Sequence, residues 1–285
     1  MGGSTLDHIQ DDKFEESFLP MTSTGSGKGL EILPDVYCYT NKIVNLCFIG
    51  HQNNDFVLVD AGMPKSAEEI MNAVRERFGE NAQPKAIVIT HGHFDHVGSI
   101  VELLEHWNVP VYAHMLEIPY LTGKENYPPG DPTVDGGLVS ELSPFFPNHG
   151  INISAHVKRL PDDGTIPNMP GWKWIHTPGH TPGHISLFRE EDRTLLAGDA
   201  FVTVKQESLY KVMVQEQEIS GAPKYFTTDW KAAFESVKMI AALKPYTAVT
   251  GHGLPMSGEI LKNSLRYLVD HFAEIAIPEN GRYVN

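Results

Sequence analysis

Two hydrophobic rhythms alternate along this chain. Short apolar runs at 36–40 and 43–49, separated by Asn41-Lys42, and a third at 56–59 predict β-strands. Ser66-Ala67-Glu68-Glu69 has the form of a capping box. Behind it Ile70, Ala73, Val74, Arg77 and Phe78 recur at helical spacing, and Gly79 suits the stop. A fully apolar strand at 86–90 runs into His91, followed by a helix over about 97–106 and a strand at 109–113. The rhythm is lost over 115–170, rich in proline and glycine, and returns as strands at 172–176, 184–188 and 194–197. A second irregular stretch, 201–227, precedes a helix over 229–243, a strand at 246–250 and a final helix from about 257 to 273. Strands, helix and strand therefore occur once before residue 115 and again after 170. This predicts an α/β fold of two sheets packed face to face with helices outside, a four-layer αββα sandwich. No short internal repeat is present, which sets solenoids and propellers aside.

Residues 1–28 read as a flexible N-terminal arm. It ends in Thr24-Gly25-Ser26-Gly27-Lys28, which lacks the residues after Lys and the leading strand of a phosphate loop. Residues 29–285 read as one domain, in which the irregular segments 115–170 and 201–227 have the character of lids over a binding site. Lys and Arg total 22 against 36 Asp and Glu, a net charge of −14, so the surface repels polyanions and nucleic acid is not an expected partner. No run approaches the ~20 apolar residues of a membrane span. The first residues lack the apolar stretch of a signal peptide, which makes the cytoplasm the default compartment; a signal peptide already removed would make the protein secreted or periplasmic. The two cysteines, Cys38 and Cys47, lie in apolar strands and are expected as buried free thiols. A homodimer is compatible with all of this.

Chemistry concentrates in Thr90-His91-Gly92-His93-Phe94-Asp95-His96, at the join of a buried strand and a helix. In extended chain residues i and i+2 point the same way, so His91 and His93 project together, while Asp95 and His96 turn toward a second centre. Imidazole and carboxylate are good ligands for zinc and similar divalent ions, and three His with an Asp so close together predict a metal site.

The His-x-His-x-Asp-His run resembles the signature of the metallo-β-lactamase superfamily. The resemblance continues in order through Leu58-Val59-Asp60-Ala61-Gly62, Gly179-His180-Thr181-Pro182-Gly183-His184, Ala197-Gly198-Asp199 and Thr250-Gly251-His252-Gly253. It implies the αββα fold and two divalent metal ions, with zinc the expected element. One ion would be held by His91, His93 and His180, the other by Asp95, His96 and His252, with Asp199 bridging. A bridging hydroxide would be the nucleophile on a small-molecule carbonyl substrate, and Asp95 would carry a proton to the leaving alkoxide. Asp60 is expected to orient a ligand histidine rather than bind metal, and His184 to support the turn it shares with His180. His106, His114, His149, His156 and His176 fall outside the ligand spacing. Tyr210 and Tyr225, after Asp199, are where a substrate-facing phenol could stand.

Departures from the family's branches order the substrate classes. The β-lactamases typically carry cysteine where Asp199 stands. Glyoxalase II enzymes share all seven ligands but add a helical region, for which little chain remains after His252. The RNA-processing nucleases normally use a basic arm. Lactonases that open acyl-homoserine lactones, the activity called quorum quenching, share the ligands, and an acyl chain would suit aromatic lids, although Val202 stands where their tyrosine is usual. A lactonase is the leading expectation. A glyoxalase II-like thioesterase comes next, then a phosphodiester hydrolase, and a persulfide dioxygenase with one iron is the reading from another class. Residues that contact substrate are not assigned by the sequence.

Overall fold

Alternation along the strands sorts side chains into separate cores. The computed structural model describes residues 22–51, 55–134 and 137–284. Seven strands, β1 (Gly29–Leu33), β2 (Val36–Asn41), β3 (Val44–His51), β4 (Asp55–Val59), β5 (Ile87–Val88), β6 (Val111–Ala113) and β7 (Val157–Arg159), lie side by side in chain order. The sheet is antiparallel as far as β4 and parallel beyond it. The second sheet contains β8 (Trp172–His176), β9 (Ile185–Arg189) and β10 (Thr194–Gly198). After a short ribbon of β11 (Phe201–Val202) and β12 (Ser220–Gly221) it is completed by β13 (Thr247–Thr250) and β14 (Met256–Ser257), in the order β14-β13-β10-β9-β8.

Cys38, Cys47, Ile49, Val57 and Val59 point one way and meet Trp172, Leu187, Leu196 and Val249 of the second sheet, forming the core between sheets. Tyr39, Leu46, Phe48, Phe56 and Leu58 point the other way and pack on Ile70 and Val74 of α1 (Ala67–Phe78), with Leu103 of the later helix 100–106 in the same core. The outer face of the second sheet is covered likewise, Leu195 and Ala248 packing with Val237 and Leu265 of two helices described below. Four layers result, and burial on both faces explains why the central strands read as unbroken apolar runs.

The chain after β5 makes two helices where the pattern predicts one, α2 (Phe94–Val97) and α3 (Ile100–His106). Residues 115–170 hold α4 (Ile118–Leu121), α5 (Leu138–Leu142), a single 3-10 turn and the edge strand β7. Residues 201–227 hold α6 (Leu209–Val214) beside the β11–β12 ribbon. The layer over the second sheet is α7 (Trp230–Leu243), whose cap Asp229 accepts from the Ala232 amide at 2.9 Å, with α8 (Gly258–Asp270) and α9 (Phe272–Ile275). No helix among the described residues is long and apolar enough to cross a membrane.

Two expectations are corrected. The arm expected over 1–28 lies mostly outside the described residues, but its last part is tied down. The Ser23 amide donates to Lys42 and that of Thr24 to Met213, and Gly27 donates to Thr40, so a hydrogen-bonded turn stands where the composition suggests a linker. The capping box at Ser66 does not form. The Ser66 hydroxyl makes no cap bond, and its backbone N–H is instead satisfied by Ser99 Oγ at 2.8 Å. A long-range partner displaced the local one. Cys38 and Cys47 sit opposite one another on β2 and β3 as buried free thiols.

Candidate metal centre

Four strands end at one rim of the sandwich, and each delivers a polar residue there. Asp60 follows β4 directly, His91 comes three residues after β5, Asp199 follows β10, and His252 lies two residues beyond β13. His93 stands at the start of α2, which carries Asp95 and His96. The turn before β9 supplies His180 and His184. All seven expected ligands are buried, and they fall into overlapping groups: His91, His93 and His180; His91, His96 and Asp199; Asp95, His96 and His252. Within each group the ligand atoms lie within 4.8 Å of one another.

Four of the five rings, all but His93, have Nδ1 held by a neighbour outside the ligand set, which decides what the other nitrogen can do. His96 Nδ1 lies 2.8 Å from Asp60 Oδ2, and His252 Nδ1 lies 2.9 Å from the Ile43 carbonyl. Both partners only accept, so each Nδ1 carries a proton and Nε2 is the nitrogen left to face a metal. The Thr90 hydroxyl donates to Asp60 at 2.8 Å and therefore accepts from His91 Nδ1 at 3.2 Å. The Thr227 hydroxyl donates to the Pro223 carbonyl at 2.8 Å and accepts from His180 Nδ1 at 3.2 Å. His93 Nδ1 sits 2.9 Å from His180 Nε2. Asp199 lies 3.3 Å from His252 Nε2, 3.5 Å from His180 Nε2 and 3.6 Å from His96 Nε2, central to both groups.

Asp60 and His184 are fully used elsewhere. Asp60 accepts from the Thr90 amide, the Thr90 hydroxyl and His96, and its φ of 63° is a left-handed conformation rare for a side chain other than glycine. His184 accepts the Asp199 amide on Nε2 at 2.9 Å and meets Thr177 through Nδ1, so neither nitrogen is open to a metal. It orients Asp199.

Charge divides the cluster. Burial holds His91 and His180 well below the usual imidazole range and lowers His93 to about 4, so these rings are neutral. Burial works against a charged His252 as well, but Asp199 and Asp95 outweigh it and raise the ring to about 10. His96 is raised in the same way, despite burial, by Asp199, Asp60 and Asp95. Asp199 and Asp95 are lowered: burial favours their neutral forms, but the neighbouring His96 and His252 prevail. Meanwhile His91 Nε2, His96 Nε2 and Asp199 Oδ1 are buried without a hydrogen-bond partner. Buried polar atoms are nearly always satisfied. Converging lone pairs from imidazole and carboxylate are what a divalent cation satisfies, so the donor set fits metal ions.

Several neighbours escaped the sequence reading. Glu117, fully buried, and Tyr127 lie against the site inside segment 115–170. Phe226 packs on His93 with centroids 4.6 Å apart, joined by Phe94 and Phe146 in an apolar wall. The one local hint was a single acid in the apolar stretch Met115-Leu116-Glu117-Ile118. Tyr225 is buried in this wall, and burial with the charges of Asp95, Glu207 and Asp199 raises its hydroxyl well above the usual phenol range. Tyr210 is 69% exposed and belongs to no wall. His114 and His176 stack on each other at 4.2 Å, apart from the ligand cluster.

The arrangement of buried histidines and aspartates at strand ends of an αββα sandwich matches a known family model, "Metallo-beta-lactamase superfamily", over residues 40–252. The chain belongs to the metallo-β-lactamase superfamily. Among its curated relatives a Bacillus subtilis protein, "Probable metallo-hydrolase YflN", is 51% identical over 262 residues, covering 91% of this chain and 99% of its own length. A Haemophilus influenzae protein, "Hydroxyacylglutathione hydrolase GloC", is 26% identical over 162 residues, 54% of this chain and 65% of its own. Among solved structures a di-iron-bound form of TTHA1623 shares the fold, with a TM-score of 0.51 and 24% identity over 78% of this chain and 93% of its own. The matched residues of this metallo-β-lactamase-fold chain include every histidine and aspartate of the cluster.

Proposed function

We propose that this protein is a metal-dependent hydrolase acting on an ester-type carbonyl, with an acyl lactone as the leading substrate class. The observation that carries the reading is the set of converging buried donors, most of them imidazoles pinned through Nδ1, with three buried atoms that lack a hydrogen-bond partner. His91, His93 and His180 would hold one ion and Asp95, His96 and His252 the other, with Asp199 between them. Two divalent ions there, zinc or, as in the di-iron relative, iron, would supply Lewis acidity and an activated water near neutral pH.

The chain's own groups do the rest. Asp95 Oδ2 is engaged by His252 at 3.3 Å, which leaves Oδ1 to take a proton and return it to a leaving alkoxide. Phe94, Phe146, Tyr225 and Phe226 form an apolar wall beside His93, suited to desolvating an acyl tail, and each buried methylene contributes ~0.8 kcal/mol. The Tyr225 phenol, kept protonated, would be the candidate donor to a carbonyl oxygen. The relationship to a hydroxyacylglutathione hydrolase supports a thioesterase as the second reading.

The test is one metal-loaded preparation assayed on short- and long-chain acyl-homoserine lactones, S-lactoylglutathione, a chromogenic cephalosporin and a bis-aryl phosphodiester. The lactones should be preferred, with kcat/KM rising with tail length. Preference for the thioester promotes the second reading, and activity on the phosphodiester alone overturns both.

A further inference from the structure

One buried carboxylate outside every recognisable motif joins the two loops that carry the trihistidine group. Glu117 immediately precedes the four-residue α4, yet its side chain caps none of that helix's N–H groups. It turns inward instead. Oε2 accepts the Gly92 amide at 2.9 Å and the Tyr127 hydroxyl in a short hydrogen bond. Oε1 accepts the Thr181 hydroxyl and the Gly183 amide, each at 2.8 Å. Gly92 lies between His91 and His93, and Gly183 lies between His180 and His184. One carboxyl group therefore fixes the distance between the loop bearing two of the three rings and the loop bearing the third. Tyr127 adds a second hold, its ring edge-on to His93 with centroids 4.6 Å apart and stacked on Tyr120 at 3.9 Å.

The fit is close enough to account for the two glycines. A Cβ at position 183 would stand 2.8 Å from Glu117, and one at position 92 would stand 2.7 Å from the Tyr127 hydroxyl. A carboxylate offers about four lone-pair sites, and four donors meet them, none of them a cation. A buried acid is costly unless it is satisfied in this way, and its removal would leave the Gly183 amide and two hydroxyls without this acceptor, and the Gly92 amide with only the Tyr127 hydroxyl at 3.0 Å. Asp60 already orients His96 and the Ile43 carbonyl orients His252, so the other half of the centre has its own supports.

We infer that Glu117 is a positioning residue, a clasp that sets the spacing of His91 and His93 against His180 and thereby the metal affinity of that half of the centre. This rests on the metal-centre reading above. Groups that orient ligands typically change affinity by about 10–100-fold when lost. Glu117→Ala should weaken one of two binding events by that factor and leave the other unchanged. Glu117→Gln should fall between, because its amide nitrogen can accept from neither loop and only one loop remains held.

The experiment is a titration of chelator-treated protein with cobalt(II), read by calorimetry and by the visible absorption bands that report the metal's coordination geometry. Unmodified protein is titrated first, and its uptake of two ions tests the metal-centre reading alone. The variants then test the clasp. One weakened site with altered bands in folded Glu117→Ala, and partial recovery in Glu117→Gln, is the expected result. If Glu117→Ala does not fold, Tyr127→Phe, which deletes one donor to Glu117 and one acceptor of the Gly92 amide but leaves the carboxylate between the two loops, should show the same one-sided weakening to a smaller degree. A lowered melting temperature with both affinities and the cobalt bands unchanged would make Glu117 a fold-stabilising residue and overturn the inference.

Discussion

The two halves of the metal centre hold their imidazoles in opposite ways. His91, His93 and His180 are kept neutral by burial, and the loops that carry them are joined by hydrogen bonds to the Glu117 carboxylate. His96 and His252 share their half with Asp60, Asp95 and Asp199, whose charge keeps protons on the rings despite burial. The rings of one half are thus neutral and those of the other charged, with Asp199 close to both.

Asp199→Ala should break the comparison outright, since both halves lose a ligand atom. Metal content and hydrolysis should fall together toward zero, as elemental analysis and assay would record. His180→Ala and His252→Ala should each cost one ion, from opposite halves. If either stripped both ions, the division into halves would be wrong.

Asp60→Asn and His184→Gln sharpen it. Neither residue offers an atom to the metal; Asp60 orients His96 and His184 orients Asp199. About 10–100-fold weaker metal binding is expected, measured by competition with a chromophoric chelator. Asp60→Asn should act mainly on the charged half, where Asp60 touches His96 directly and reaches His91 only through Thr90, whereas His184→Gln should act on both.

A smaller effect separates the halves without metal. His93 is lowered from 6.5 to about 4, so the unfolded chain takes up the proton first, and stability falls as pH drops from about 6.5 toward 4. His252 is raised from 6.5 to about 10, so its contribution is full below 6.5 and is lost as pH rises through 10. Each slope is at most about 1.4 kcal/mol per pH unit. Urea unfolding of chelator-treated protein across this range should show His93→Gln flattening the acid limb and His252→Gln the alkaline limb. The smallest effect expected is none. His106→Ala and His149→Ala, both at exposed positions, should leave metal content unchanged and stability within about 0.5 kcal/mol.

Much of the fold was legible because the central strands are buried on both faces and read as unbroken apolar runs between clear helices. Of the strands that escaped notice, β11, β12 and β14 are two residues long, and β1 and β7 are edges with exposed residues such as Leu30, Lys158 and Arg159, where no core imposes a pattern. The candidate ligands stood out because strand ends concentrate them in short runs of sequence. Glu117 did not, because its partners Gly92 and Gly183 lie 25 and 66 residues away and only the folded chain brings them together. The capping box at Ser66 failed for the same reason, its local partner losing to Ser99 from 33 residues on.

The central claim is that this site holds two divalent ions shared through Asp199. Elemental analysis of protein purified without chelator tests it most directly. Two ions per chain, falling to one in His180→Ala and toward none in Asp199→Ala, is the predicted result. A single iron per chain with full activity would contradict it.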